Sequence, residues 1–372
     1  MKTVRRMFYR DIVSSVGFVA LAFLSLFFFI DFVSELQDVG RQGYTVGMAT
    51  LNSVMELPGH LYELLPIAVL IGAIYSLARM AQSSEFTILR TSGLGPWRAL
   101  RLLALLALGF SVLTFVLGDY LLPVTERQAA LIKARADGAG RLGRTGAWLK
   151  EHRGSGADER SISVNVAAID GRGAMLGIRI FELGAQGQHL LRITAREARV
   201  DKQSVWTLRD VEIVRWPASL AAAADDDAVR IEHRAELKWP STLSASVVSA
   251  AILPLQTMST TDLWRYSRHL SDQEQAAQRH QIQFWKKALY PLACVVMMSL
   301  ALPFAYLHAR AGGISLKVFG GIMLGVSFAL LSNVSGHIGL LRDWTPWVAA
   351  AAPSVLFTLL SMAAFGWLVR YR

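Results

Sequence analysis

The chain has 372 residues, of which 53% are hydrophobic and only 18% charged, and its mean hydropathy is +0.37. Soluble globular proteins carry about 25% charged residues, so the composition excludes an ordinary soluble domain and points to a membrane protein. The single cysteine, Cys294, lies in an apolar run and excludes an intramolecular disulfide framework and a thiolate metal cluster.

Taken in chain order, six apolar runs approach the length of about 20 residues that a helix needs to cross about 30 Å of hydrocarbon. They cover residues 12–33, 57–81, 97–122, 284–307, 314–341 and 344–369. The first follows Lys2, Arg5, Arg6 and Arg10 in the manner of a signal peptide. No small-x-small cleavage site follows Phe27-Phe28-Phe29-Ile30, so it reads as an uncleaved anchor.

Short connections rich in Lys and Arg resist translocation. With the N-terminus, the 79–101 loop, the 308–317 loop and the C-terminus in the cytoplasm, those segments hold Lys2, Arg5, Arg6, Arg10, Arg79, Arg90, Arg98, Arg101, Arg310, Lys317, Arg370 and Arg372 against only Asp11 and Glu85. They carry the whole formal net charge of +10, which leaves no excess to argue for nucleic acid. The topology is N-in and C-in. Trp97, Trp285, Trp344, Trp347 and Trp367 fit the aromatic belts at the interfaces.

Between the second and third spans the loop runs Arg79-Met80-Ala81-Gln82-Ser83-Ser84-Glu85-Phe86-Thr87-Ile88-Leu89-Arg90-Thr91-Ser92-Gly93-Leu94-Gly95-Pro96. Ser83 or Ser84 can cap a helix, Glu85 suits its positive end, and Gly93 with Pro96 can end it. The spacing predicts a short helix on the membrane face, over about 83–95. Phe86 and Leu89 share one side, flanked by Glu85 and Arg90. Such a helix is either a knob for another protein's groove or a plain interfacial connector.

Residues 124–280 change character, with more Arg, Asp, Glu, Gly and Ser and no spanning run. Period-two alternation at Ile162-Ser163-Val164-Asn165-Val166, Gly177 to Leu183 and Val211 to Trp216 predicts half-buried strands of a β-domain on the far side of the membrane, in two packed layers. Arg196 to Leu208 reads as a hairpin with a polar tip. Asp225-Asp226-Asp227 lacks the Gly and the bidentate Glu of a calcium loop and reads as a solvated loop. The expected organisation is 1–123 with the first three spans, 124–280 with the β-domain and its connectors, and 281–372 with the last three spans.

No motif in the sequence nominates a catalytic group. The chain contains no Gly-x-x-x-x-Gly-Lys-Ser/Thr and no Gly-x-Ser-x-Gly, and its eight histidines show no His-x-x-x-His spacing. No catalytic residue and no metal site is expected. Asp31, Glu63, Asp119, Lys286 and Lys287 fall near span ends, where snorkelling or interfacial solvation accounts for charge without an ion-coupled pump.

Several stretches together resemble the LptF/LptG permeases of the lipopolysaccharide export ABC transporter. They are Met80-Ala81-Gln82-Ser83-Ser84-Glu85 running to Thr91-Ser92-Gly93, Leu57-Pro58 with Pro66, Ala147-Trp148-Leu149-Lys150, and Trp285-Lys286 through Met297-Met298. The resemblance covers essentially the whole length. It implies six transmembrane helices with a β-jellyroll-like domain between the third and fourth, in the inner membrane of a Gram-negative cell. It also implies an LptF-like permease partner, an LptB-like ATPase dimer that binds ATP and Mg, an LptC-like periplasmic protein, and no cofactor in this chain.

By the same resemblance the 83–95 helix couples to the ATPase through Ser84, Glu85, Phe86, Leu89, Arg90 and Gly93. Phe23, Phe27, Ile30 and Phe32 of the first span, with Leu316, Phe319 and Met323 of the fifth, become candidates for a lipid cavity wall and gate. Relatives carry lysines for lipid phosphate at the outer end of the first span, where this chain has Asp31, Gln37 and Asp38; it also lacks a lysine near Gly59-His60. The partner subunit supplies the cations, or Arg41 with Arg127, Lys133 and Arg135 takes the role, or divalent ions bridge the acids to phosphate; the second is preferred. A non-transporting scaffold for the β-domain and a proton-driven lipid flippase are the alternatives.

Overall fold

The computed structural model describes residues 2–40, 44–83, 85, 88, 96–136, 146–153, 160–169, 174–201, 205–216, 229–241, 243, 258–272, 277–306 and 313–370. Its long helices are α1 (Lys2–Leu36), α2 (Val46–Gln82), α3 (Pro96–Val116), α4 (Leu122–Ala136), α5 (Thr260–Asp272), α6 (Gln278–Tyr306), α7 (Ile314–Leu341) and α8 (Pro346–Arg370). A π-helical turn at Leu117–Leu121 joins α3 to α4. The strands are β1 (Ala147–Arg153), β2 (Arg160–Ile169), β3 (Met175–Leu183), β4 (His189–Val200), β5 (Val205–Arg215) and β6 (Arg230–Pro240).

Among the described residues, six helical stretches are long and apolar enough to cross a membrane: Arg5–Leu36, Val46–Gln82, Trp97–Glu126, Gln278–Phe304, Ile314–Leu341 and Pro346–Trp367. All six spans expected from hydropathy are present, several of them longer than their apolar runs. A helix does not stop where hydrocarbon stops, because its hydrogen-bond ladder continues through the polar flank. The chain divides into two compact units, one of Met1–Gln37, Ser53–Glu126 and Gln278–Arg372, the other of Asp38–Asn52 and Arg127–Ala277.

The helical unit is assembled through small residues, as expected where lipid tails are as apolar as Leu and close approach must supply the attraction. Phe8, Ile12, Val16 and Ala20 of α1 pack with Ala68, Val69, Ala73 and Ile74 of α2, and the cluster continues into Leu103 of α3 and Met297 and Ala301 of α6. Gly72 lets α2 approach the backbone of α1: a Cβ there would stand 2.6 Å from Val16 N and Cα. Gly321 and Gly325, a Gly-x-x-x-Gly pair, let α7 close on side chains of α2, where added Cβ atoms would meet Ile74 Cδ1 at 2.6 Å and Ile67 Cγ2 at 2.8 Å. Hydrogen bonds between helices add to this, with Tyr9 Oη donating to Leu102 O at 3.1 Å, Ser111 Oγ to Pro291 O at 2.7 Å and Ser335 Oγ to Ala349 O at 2.6 Å.

In the second unit the six described strands pair antiparallel in chain order as one meander. The sheet curls until its edges meet: Ser241 Oγ donates to Glu151 Oε2 of β1 at 2.6 Å, and Arg153 of β1 donates to Pro240 O and lies over the Trp239 ring. The two layers expected from the alternation are therefore halves of a single folded sheet. Its inner face buries Leu149, Ile162, Val164, Ile178, Ile180, Ile193, Trp206, Leu208, Val211 and Ile213. The alternation slips by one between Leu208 and Val211, where Asp210 adopts φ 54° and resets the pleat; Asp is among the few residues that tolerate this region.

The expected hairpin joins β4 to β5, with Val205 N–H donating to Asp201 Oδ1 at 3.0 Å. Helix α5 has no counterpart in the sequence reading. It is amphipathic, burying Leu263 and Tyr266 and exposing Trp264, and Ser259 Oγ caps it by accepting from Asp262 N–H at 3.1 Å. Asp225-Asp226-Asp227 lies outside the described residues.

Among the described residues Trp206 is the largest fully buried side chain, and its indole N–H donates to Leu243 O at 3.0 Å. Trp206→Ala is expected to destabilise the β-unit by about 4 kcal/mol, and Trp206→Phe, which keeps most of the volume and loses the donor, by about 1–2 kcal/mol. Thermal melts of the full chain followed by limited proteolysis within residues 146–243 measure the ranking.

Candidate functional site

Helix α1 is the least enclosed span, with 6% of its most apolar window buried, against 72% for α2. Among the described residues, its fully buried apolar side chains end at Ala20. Beyond that point Phe23, Phe27 and Phe32 are half-buried, and Ile30 is exposed. Phe27 stacks on His60 of α2 with ring centroids 4.6 Å apart, and Phe28 stacks on Phe32. His60 Nε2 and Asp31 Oδ2 are 2.8 Å apart. Glu56, one turn before His60 on α2, brings a third ligating group to the same spot, and the three ligand atoms lie within 4.8 Å of one another.

The other half of the predicted wall is on α7. Leu316, Phe319 and Met323 are all exposed, and Val326 and Leu330 extend the stripe at the same three-and-four spacing. The glycine face of the helix packs the opposite side, so one helix presents a close-packed edge and a bare apolar edge. The signal for this, Gly321-x-x-x-Gly325, stands in the sequence and the sequence reading did not use it. Lys317, assigned to a loop, lies in the first turn of α7 and is buried.

A separate apolar groove of about 670 Å³ runs between α3, α6 and α8, lined by Trp97, Leu100, Val296, Ser299, Ser361 and Phe365 among others. None of the seven wall candidates lines it. Where α3 gives way to the π-helical turn, Gly118 leaves room for the ring of Tyr62, which packs on Tyr290 at 4.8 Å; Tyr290 Oη donates to Glu63 O at 2.6 Å. Of the ionisable residues near span ends, Asp31 pairs with His60, and the Lys286 ammonium lies beside Gly336.

Of the 79–101 loop residues expected to couple, Glu85 is helical and exposed, as is Ile88 three residues on and hence on the same face. Ser84, Phe86, Leu89, Arg90 and Gly93 lie outside the described residues, as does Arg41. Arg127, Lys133 and Arg135 all belong to α4.

Comparison with known proteins adds an independent observation. The family described as "Lipopolysaccharide export system permease LptF/LptG" matches residues 6–369. Similar relatives are the lipopolysaccharide export system permease protein LptG of Escherichia coli strain K12, 24% identical over 354 residues and 95% of each chain, and that of Haemophilus influenzae strain Rd, 24% identical over 364 residues and 97% of each chain. Six spans, a β-unit between the third and fourth, and a match over nearly the whole length place this chain in the LptF/LptG family of lipopolysaccharide export system permeases.

Proposed function

We propose that this chain is one permease half of an ATP-driven transporter that takes lipopolysaccharide from the outer leaflet of the inner membrane and hands it to a periplasmic bridge. The observation that carries this is the insertion of a folded β-unit into a six-span helical unit that matches the export-permease family from end to end. The relatives are named as export permeases of the same lipid. An LptF-like subunit forms the other half, an LptB-like ATPase dimer binds ATP and Mg and drives the cycle, and an LptC-like protein receives the lipid beside the first span.

The chain's own residues divide the work by chemistry. The exposed edge of α7 and the loosely packed aromatic half of α1 give acyl chains an apolar surface, worth about 25 cal/mol per Å² covered. Basic positions 127, 133 and 135 on α4, with Arg41, supply the charge for phosphorylated sugars. The Glu85 helix receives the push of the closing nucleotide dimer, and the wall collapses behind the lipid.

Tandem expression with candidate partner subunits, purification, and mass spectrometry of copurifying lipid test the reading. An associated ATPase and a multiply acylated, phosphorylated glycolipid are the expected result. Lipid movement by this chain alone without nucleotide, or tags placing residues 150–250 in the cytoplasm, would overturn it.

A further inference from the structure

The C-terminal half of α1 meets α2 at a polar cluster built on His60. Among the described residues of α1 the buried apolar side chains end at Ala20, and further along both Asp31 and Phe27 contact the same imidazole, His60. That imidazole sits in a mixed donor set: Asp31 from α1, and Glu56 and His60 from one face of α2 at i, i+4 spacing. All three are half-buried. Two carboxylates and a histidine nitrogen from two helices are the donors that borderline divalent ions such as Zn²⁺ take, and the imidazole favours these over Mg²⁺ or Ca²⁺.

The spacing suits such an ion. With bonds of about 2.0–2.2 Å, ligand atoms around a tetrahedral ion stand about 3.4 Å apart. The present ligand atoms span 2.8 Å for the Asp31–His60 pair and no more than 4.8 Å for any pair, so side-chain movements of about an ångström bring all three to bonding distance. The Phe27 ring stacked on His60 limits how the imidazole can turn, as supporting groups do around metal ligands.

We propose that Asp31, Glu56 and His60 form a site for a divalent transition-metal ion of the Zn²⁺ class, and that the bound ion staples the C-terminal half of α1 to α2. Three protein ligands leave a coordination position for water or an anionic oxygen. The staple acts on the half-helix that carries Phe23, Phe27, Ile30 and Phe32, so its bearing on lipid passage rests on the permease reading; ion binding itself does not.

The full chain in detergent, stripped with chelator, is titrated with ZnCl₂ by calorimetry, and deuterium uptake of residues 21–36 is followed with and without the metal. One ion per chain is expected, with affinity falling at least tenfold in Asp31→Asn, Glu56→Gln and His60→Gln, and with slower exchange of that segment in the unaltered chain only. His60→Cys supplies a signal that misfolding cannot mimic: loaded with Co²⁺, it gains a thiolate-to-cobalt charge-transfer band that the unaltered chain, whose Cys294 is buried, does not show. Equal Zn²⁺ uptake by a variant carrying Asp31→Asn, Glu56→Gln and His60→Gln together, no change in exchange on loading, or no such band would overturn the proposal. None of these measurements involves lipid or ATPase, so their failure leaves the permease reading standing, and failure of lipid export leaves the ion site standing.

Discussion

Gly72→Ala is expected to loosen α1 from α2 and to lower the thermal stability of the purified chain, and Gly72→Leu to abolish accumulation of folded protein. The contact is backbone to backbone: the added Cβ would stand 2.6 Å from Val16 N and Cα and 2.7 Å from Val16 Cγ2. Only a shift of the whole helix can relieve it. Overpacking of this kind costs about 1–3 kcal/mol, which outweighs the gain of about 0.5–1 kcal/mol from replacing a helical glycine with alanine. The shift would fall on Phe8, Ile12, Val16 and Ala20, the residues that hold α1 in the core cluster. Gly17→Ala is the matched control, because a Cβ there meets nothing within 4 Å although it is the next residue on from Val16. Fluorescence-detected size-exclusion melts of the variants give the comparison. A Gly72→Ala melt equal to that of Gly17→Ala would show that the α1–α2 contact is not limiting.

The six spans were legible because a run of about 20 apolar residues has few alternatives in lipid. Strands β2 to β5 were legible, wholly or in part, where inward and outward residues alternate at period two; β6, none of whose side chains is buried, was not. What was not legible shares one cause, dependence on contacts between distant residues. Nothing local announces that Ser241 reaches Glu151 and closes the sheet. Asp210 breaks the alternation from within a strand, so residues 205–208 and 211–215 read as two apolar patterns when they are one strand with a reset pleat. Asp31 looked like a misplaced acid at the end of a span until the fold set it 2.8 Å from His60. Only Glu56-x-x-x-His60 was visible in the sequence, and one pair on one helix does not nominate a site without the third group from α1. The wall candidates on α7 follow hydropathy, but the Gly321–Gly325 pair decides which edge faces α2 and so which edge stays bare.

Glu85→Ala is expected to reduce ATP-dependent lipid export by at least tenfold in proteoliposomes while leaving the chain folded and assembled with its partners. Glu85 and Ile88 are both helical and exposed, and their spacing puts a carboxylate and an apolar side chain side by side on one surface. Such a pair anchors a helix in a groove by apolar contact and fixes its register by a charged hydrogen bond. Loss of a charge-assisted contact of about 1.5–3 kcal/mol corresponds to roughly ten- to a hundredfold in an equilibrium. Removing the charge should therefore weaken transmission of the stroke more than it weakens assembly, which is spread over the rest of the interface. Ile88→Ala, which trims the apolar part and keeps the carboxylate, should lower the yield of assembled complex more than it lowers export per complex. Glu85→Lys should fail at both, because a cation now faces the partner's donor. The measurement is export per assembled complex, normalised by the ATPase subunit recovered with this chain. Unchanged export in Glu85→Ala would remove this helix from the coupling path. Loss of the ATPase from the purified complex would make Glu85 an assembly contact instead.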